Sequence, residues 1–195
     1  MANFYPAFEN TIRFEDDARE PGKVTVDAGG RTRFGIAEKF HPGIPEWFFA
    51  GDVVRARTLA ENIEYGKYWK PLNLHRISDQ SVANKIFDMA VNMGFHQAAV
   101  LTQRAVNALN MQAAKESGDS ADAVSSGGIA PMAALFPLVE DGVIGPKTLE
   151  QLNDLASSLV LDELRALSAD YYRAIVAANP AQAVNLNGWL KRAAA

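Results

Sequence analysis

Apolar residues recur at helical spacing from the start of the chain. Phe4, Ala7, Phe8, Thr11 and Ile12 fall on one face and predict a helix over residues 3–16. Over residues 21–36, PGKVTVDAGGRTRFGI, the period changes. Val24 and Val26 alternate, Gly29 and Gly30 interrupt, and Phe34 and Ile36 alternate again, which predicts a small hairpin or an irregular β-loop. Pro42, Gly43 and Pro45 mark a loop. Helical patterns follow from Thr58 to Tyr68, from Val82 to Met93 with Asp79 or Ser81 as cap, and from Gln97 to Leu109. Residues 111–134 are rich in Ala, Ser, Gly and Asp without apolar period and predict a flexible linker or exposed loop. Beyond them Pro146 suits the first position of a helix. Leu149, Leu152, Leu155, Leu159, Leu164 and Leu167 form a stripe reaching Ala177, and Asn179-Pro180 stops it. The tail AQAVNLNGWLKRAAA holds one short last helix. The expected fold is mainly α, with one small β element near the N-terminus and a helical C-terminal part.

Charge and composition narrow the chemistry. The 195 residues carry a formal net charge of −4, so no global basic field points to nucleic acid. There is no cysteine, which excludes disulfide scaffolds, thiolate metal sites and cysteine nucleophiles. The three histidines, His41, His75 and His96, are scattered outside any metal-ligand spacing, and no cofactor is expected. No G-x-S-x-G elbow supports a serine hydrolase, and no G-x-x-x-x-G-K-[ST] forms a phosphate loop. The N-terminus has neither the basic nor the apolar region of a signal peptide, and no stretch approaches a membrane span.

One acid stands apart. In Phe14-Glu15-Asp16-Asp17, helical phase turns Glu15 toward the arc of Phe4, Phe8 and Thr11, turns Asp16 to the opposite side and leaves Asp17 at the end. A carboxyl in apolar surroundings is easier to protonate, as a general acid requires. The same position also suits a glutamate at the rim of a core, paired with Arg31 or Arg33.

The segment that follows, Asp27-Ala-Gly-Gly30-Arg-Thr32-Arg-Phe-Gly35-Ile36, resembles the D-x-G-G-x-T-x-x-G-I signature of glycoside hydrolase family 108, the lysozyme-like N-acetylmuramidases of bacteria and phages. AENIEYGKYWKPL, IFDMAVNMGFHQAAVLTQRAVN and EDGVIGPKTLEQL resemble later parts of the same architecture, in order. The last is similar to the Asp-Gly-x-Ile-Gly-Pro-x-Thr-Leu motif of the accompanying peptidoglycan-binding module. The resemblance implies a lysozyme-like catalytic domain over 1–110, the linker over 111–134 and a peptidoglycan-binding helical module over 135–195. It implies Glu15 as the catalytic acid. The chain departs from the family where Glu-Gly-Gly has become Glu15-Asp16-Asp17.

Glycoside cleavage pairs an acid with a second group that activates water or acts as nucleophile. Asp27 and Thr32 are the candidates; Glu20 and Asp88 rank behind them. Asp27 could equally brace the glycine turn, and Thr32 could be an ordinary strand residue. Gly30, Tyr68, Trp69 and Asn92 are candidate substrate contacts, with Tyr65 as a further stacking ring, though such aromatics also serve as core. Asp88 and Asn92, four apart on one helical face, could brace the site. Asp141, Gly142 and Gly145 are the candidates in the wall-binding module; the alternative there is a plain turn before a helix. The implied activity is hydrolysis of the β-1,4 bond between N-acetylmuramic acid and N-acetylglucosamine in peptidoglycan. Lytic transglycosylation of the same bond and non-catalytic wall binding stay open. The expected setting is a monomeric phage endolysin, made in the host cytoplasm, released with a holin and acting on the cell wall.

Overall fold

The computed structural model describes residues 1–15, 20, 22–27, 30–116 and 136–195; for Phe14, Glu15 and Asp27 it describes the backbone alone. Asp16-Asp17, Gly29 and residues 117–134 of the expected linker lie outside the described residues. Helix α1 spans Phe4–Glu15. Its buried face is Phe4, Ala7, Phe8, Thr11 and Ile12, the stripe that helical spacing predicts. Its start is tied down by pairing with a later segment. Gln80 Oε1 accepts from the Asn3 amide at 2.7 Å, and Gln80 Nε2 donates to the Asn3 carbonyl at 2.8 Å.

The β-loop is a three-stranded antiparallel sheet in the order β1 (Thr25–Asp27), β2 (Gly30–Arg33), β3 (Ile36–Ala37). The short helix α2 (Trp47–Ala50) buries Phe48 and Phe49 beneath it. Helix α3 (Val53–Glu64) starts five residues before Thr58, because the Asp52 carboxylate accepts from the Arg55 amide at 2.9 Å and caps it. One wide turn, Tyr65–Trp69, then carries Trp69 into the core. Helix α4 (Gln80–Met93) is capped by Asp79, whose Oδ1 accepts from the Val82 amide at 2.9 Å, and ends at Gly94. It is the central helix. Phe87 meets Phe4 and Trp69 edge-on, with centroids 5.6 and 5.9 Å apart.

Helix α5 (Phe95–Glu116) runs longer than its apolar pattern, so residues 111–116 are its last turns rather than linker. Helices α6 (Pro146–Asp154), α7 (Ser157–Ala178) and α8 (Ala183–Ala194) complete the described chain. The helical stretch expected to reach Ala177 consists of two helices, separated at Leu155 and Ala156.

The C-terminal helices share one core with the rest. Ile144, Leu149, Leu152, Val160 and Leu164 join the same cluster as Phe8, Phe87 and Ala98. Burying those five side chains contributes on the order of 10 kcal/mol. Polar clamps reinforce the contact. Lys85 Nζ donates to the carbonyls of Arg192 and Ala193 at 2.9 and 2.7 Å, capping the C-terminal end of α8. Arg192 Nε donates to Asp88 Oδ1 at 2.9 Å, both groups buried. Asn92 Nδ2 donates to the Tyr172 hydroxyl at 2.9 Å. The braces of α4 therefore point to the C-terminal helices.

Candidate active site

The Asp27–Ile36 segment folds so that its candidate residues share a face. In an antiparallel pair, directly opposed residues lie on the same side and successive residues alternate. Asp27 opposes Gly30, Thr25 opposes Thr32, and Thr32 opposes Ala37. Positions 27, 30 and 32 thus lie on one face of the sheet. Gly30 has φ +104°, a conformation that favours glycine, which explains the residue at this point. Thr32 is half-buried.

The opposite face carries the arginines and is turned to α2. Arg31 Nε and Nη2 donate to Glu38 at 3.0 and 2.7 Å, and Nη1 and Nη2 donate to Glu46 at 2.6 and 2.8 Å. Its guanidinium also lies 4.3 Å above the Phe49 ring. This pairing holds the Glu38 and Glu46 carboxyls below the usual carboxylate range. Arg33 is buried and donates to backbone carbonyls, from Nε to Gly22 at 2.7 Å and from Nη1 to Phe48 and Gly51 at 2.7 and 3.1 Å. Both guanidiniums are engaged by the sheet's own surroundings. Arg33 clamps the segment before β1 to the end of α2 and so fixes where the sheet stands.

Glu15 is the last residue of α1. The aromatics expected to stack on substrate fall elsewhere. Trp69 is 1% exposed and packed edge-on against Phe4 and Phe87. The wide turn after α3 carries the ring into the core, where it packs against its neighbours rather than standing open as the expected sugar platform. Tyr65 meets Phe4 at 5.3 Å, at the start of α1. With a rise of 1.5 Å per residue, that is about 16 Å from the end carrying Glu15. Tyr68 is half-buried at the edge of the core, with Lys67 Nζ 5.3 Å from its ring. Asn92 is half-buried and donates to Tyr172. Asp88 is engaged with Arg192.

The Asp141–Pro146 turn is docked on α5 by a residue outside the candidate set, Gln103. Its Nε2 donates to Asp141 Oδ1 at 2.8 Å and to the Val143 carbonyl at 3.1 Å, and its Oε1 accepts from the Gly142 amide at 2.9 Å. The Gln103 bond and the Val143 amide keep the Asp141 carboxyl below its ordinary range. Gly142 has φ +76°, and a Cβ there would sit 2.5 Å from the His96 ring. Asp141 and Gly142 thus have internal structural contacts. Gly145 is the open N-cap of α6. The motif's Asp-Gly pattern identifies the turn but not its clamp, since a glutamine 38 residues upstream has no local signal.

Among the described residues no group of three His, Asp or Glu could hold a metal ion, and no helix is long and apolar enough to cross a membrane.

A sheet with an acid at the end of the preceding helix defines the class once the sequence is compared with known families. Residues 18–94 match the family model described as Glycosyl hydrolase 108. Over that stretch the chain is similar to glycosyl hydrolase 108 proteins, which supports a glycoside hydrolase. The match begins just after Glu15 and ends at Gly94, enclosing the sheet, α2, α3 and α4. Among solved structures, that of Brucella abortus SagA is similar over 97% of this chain and 92% of its own, with 17% identity and a TM-score of 0.58. That likeness concerns the fold, and it spans the C-terminal helices as well. No curated protein matches the chain.

Proposed function

We propose that the chain is a muramidase that hydrolyses the β-1,4 bond between N-acetylmuramic acid and N-acetylglucosamine in peptidoglycan, with Glu15 as general acid. The observation that carries this reading is the order of parts. Glu15 ends α1, and the matched glycoside hydrolase domain with the complete D-x-G-G-x-T-x-x-G-I sheet follows directly. A general acid must hold a proton until the glycosidic bond breaks. Glu15 gives that proton to the leaving glycosidic oxygen. Positions 27 and 32, on one face of the sheet, supply the second group: the Asp27 carboxylate accepts a proton from the attacking water, and the Thr32 hydroxyl orients it. The rest of the glycan lies along the sheet beside Gly30.

The second element of the proposal is wall binding by the C-terminal half. A groove of about 1110 Å³, mostly apolar, opens beside the Asp141–Pro146 turn, with Leu138, Val139, Val143, Pro146 and Lys147 among its walls. In this reading Asp141 and Gly142 shape the turn while the groove's side chains meet the polymer. The setting that fits best is phage-borne lysis, with release through a holin pore to the cell wall.

Clearing of purified peptidoglycan tests the reading. The wild type should clear it, Glu15→Gln should not, and Asp27→Asn should slow it at least tenfold. Equal clearing by Glu15→Gln would remove Glu15 from the mechanism.

A further inference from the structure

Thr58, Glu61, Asn62 and Tyr65 stand at i, i+3, i+4 and i+7 and form one face of α3 and the turn after it. A helix packed on two sides would bury apolar residues at that spacing; here the four are polar. With Asn3 and Tyr5 from the start of α1 they line a groove of about 580 Å³, floored by Phe4 and Trp69. The volume falls within the range of roughly 300–1,000 Å³ usual for sites that hold small molecules.

The groove's chemistry selects its occupant. Tyr5 and Tyr65 are 60% and 42% exposed. Both rings rest on Phe4, at centroid distances of 5.7 and 5.3 Å, so they are held in place while open to solvent. Such tyrosines offer a flat apolar face next to a hydroxyl. Around them stand the Asn62 amide, the Thr58 hydroxyl and the Glu61 carboxylate. Arg57 Nε holds Glu61 Oε1 at 3.0 Å. Thr58 Oγ1 donates to the Val54 carbonyl at 3.1 Å, so its oxygen accepts from any further partner. Among the described residues no lysine or arginine lines the groove; Met1 and His75 are among its walls, and the Glu61 carboxylate beside them disfavours a phosphate or other anion. Flat apolar faces beside amide and hydroxyl groups fit a neutral sugar chain with N-acetyl substituents.

The groove is also separate from the cleavage end. It opens at the start of α1, about 16 Å from Glu15 along the helix. We propose that it is a second glycan-binding site, which holds an uncleaved stretch of the polymer while hydrolysis proceeds at the other end of α1. The ligand class rests on the muramidase reading; the site's position and wall chemistry do not.

The probe is the tetramer of β-1,4-linked N-acetylglucosamine, titrated into the full chain carrying Glu15→Gln with amide NMR as readout. Shifts are expected at Tyr5, Thr58, Asn62 and Tyr65. Adding Tyr5→Ala and Asn62→Ala should abolish those shifts. In the chain that keeps Glu15, the same two changes should weaken binding to insoluble peptidoglycan about tenfold, the value of one lost stacking contact and one hydrogen bond. The rate on short soluble fragments should stay unchanged. Groove amides that stay still, or that respond equally in the double variant, would overturn the site. If the wild type releases glycan fragments while the groove stays still, the second site fails and the hydrolase reading stands. If the groove responds and the wild type releases nothing, the site stands and the hydrolase reading fails.

Discussion

Replacing Arg192 by methionine tests whether the C-terminal helices and the glycoside hydrolase domain form one cooperative unit. Arg192 is on α8, and its Nε donates to Asp88 on α4 at 2.9 Å. The side chains are 9% and 5% exposed, so the pair is shielded from water. Removing the guanidinium takes its hydrogen bond and charge away from a carboxylate held in the interior. Breaking a buried pair in this way costs about 3–5 kcal/mol, whereas replacing both partners by apolar groups is often neutral. The methionine leaves the Arg192 carbonyl in place, so the two bonds from Lys85 survive and the loss belongs to the pair. Against a total stability of about 5–15 kcal/mol, a loss of that size moves a urea midpoint far. The assay is urea unfolding followed by circular dichroism and by tryptophan fluorescence, which reports on Trp47, Trp69 and Trp189. Arg192→Met should shift a single shared transition down. The double variant Asp88→Leu/Arg192→Met should recover most of the loss. A single variant within about 1 kcal/mol of wild type would refute the role of the pair. Two separate transitions would refute the shared core.

Burial holds the Lys85 ammonium down to about 8, below its ordinary 10.5. Between those pH values the unfolded chain binds more protons than the folded one, so this group makes stability rise with pH across that window, by about 3 kcal/mol in all. Urea midpoints at pH 8 and pH 10.5 should show that rise in wild type and a smaller one in Lys85→Met; equal slopes would count against it. Gly142→Ala forces a left-handed conformation on alanine and a Cβ onto the His96 ring. It should cost about 2 kcal/mol in urea unfolding, with greater loss of amide protection in the 141–146 turn than elsewhere. Gln103→Leu removes the bonds to Asp141, Gly142 and Val143 and leaves their polar atoms without that partner. It should cost about 1–3 kcal/mol and raise the pH at which Asp141 titrates, visible in carboxyl NMR.

Much of the fold follows from period and punctuation. The stripe of α1, the glycine end of α4, the proline start of α6 and the β character around Asp27–Ile36 are all local signals, and each appears at its expected place. The misses have tertiary causes. Helix α5 extends to Glu116 past the end of its apolar pattern, and α3 begins at Val53 because Asp52 caps a turn whose valines are exposed. The C-terminal half joins the main core through Lys85, Asp88 and Asn92, whose partners lie 80 or more residues away in sequence. No local pattern records such pairing. The site divides in the same way. The sheet register that aligns positions 27, 30 and 32 follows from alternating residues on either side of the double glycine in the sequence. Trp69 illustrates the opposite case: its motif points to substrate, and the wide turn before it points the ring inward. Tyr5 carries little sequence signal because it lies off the apolar stripe, and its significance depends on the polar face of α3 beside it.

In the proposed mechanism Glu15 donates a proton in hydrolysis of the glycan. Mass spectrometry of peptidoglycan digested by wild type and by Glu15→Gln tests it most directly. Fragments should appear with wild type alone, each carrying one added water at the cleaved N-acetylmuramic acid. Anhydro ends from the wild type would identify a transglycosylase, and the same fragments from Glu15→Gln would contradict the assignment of the acid.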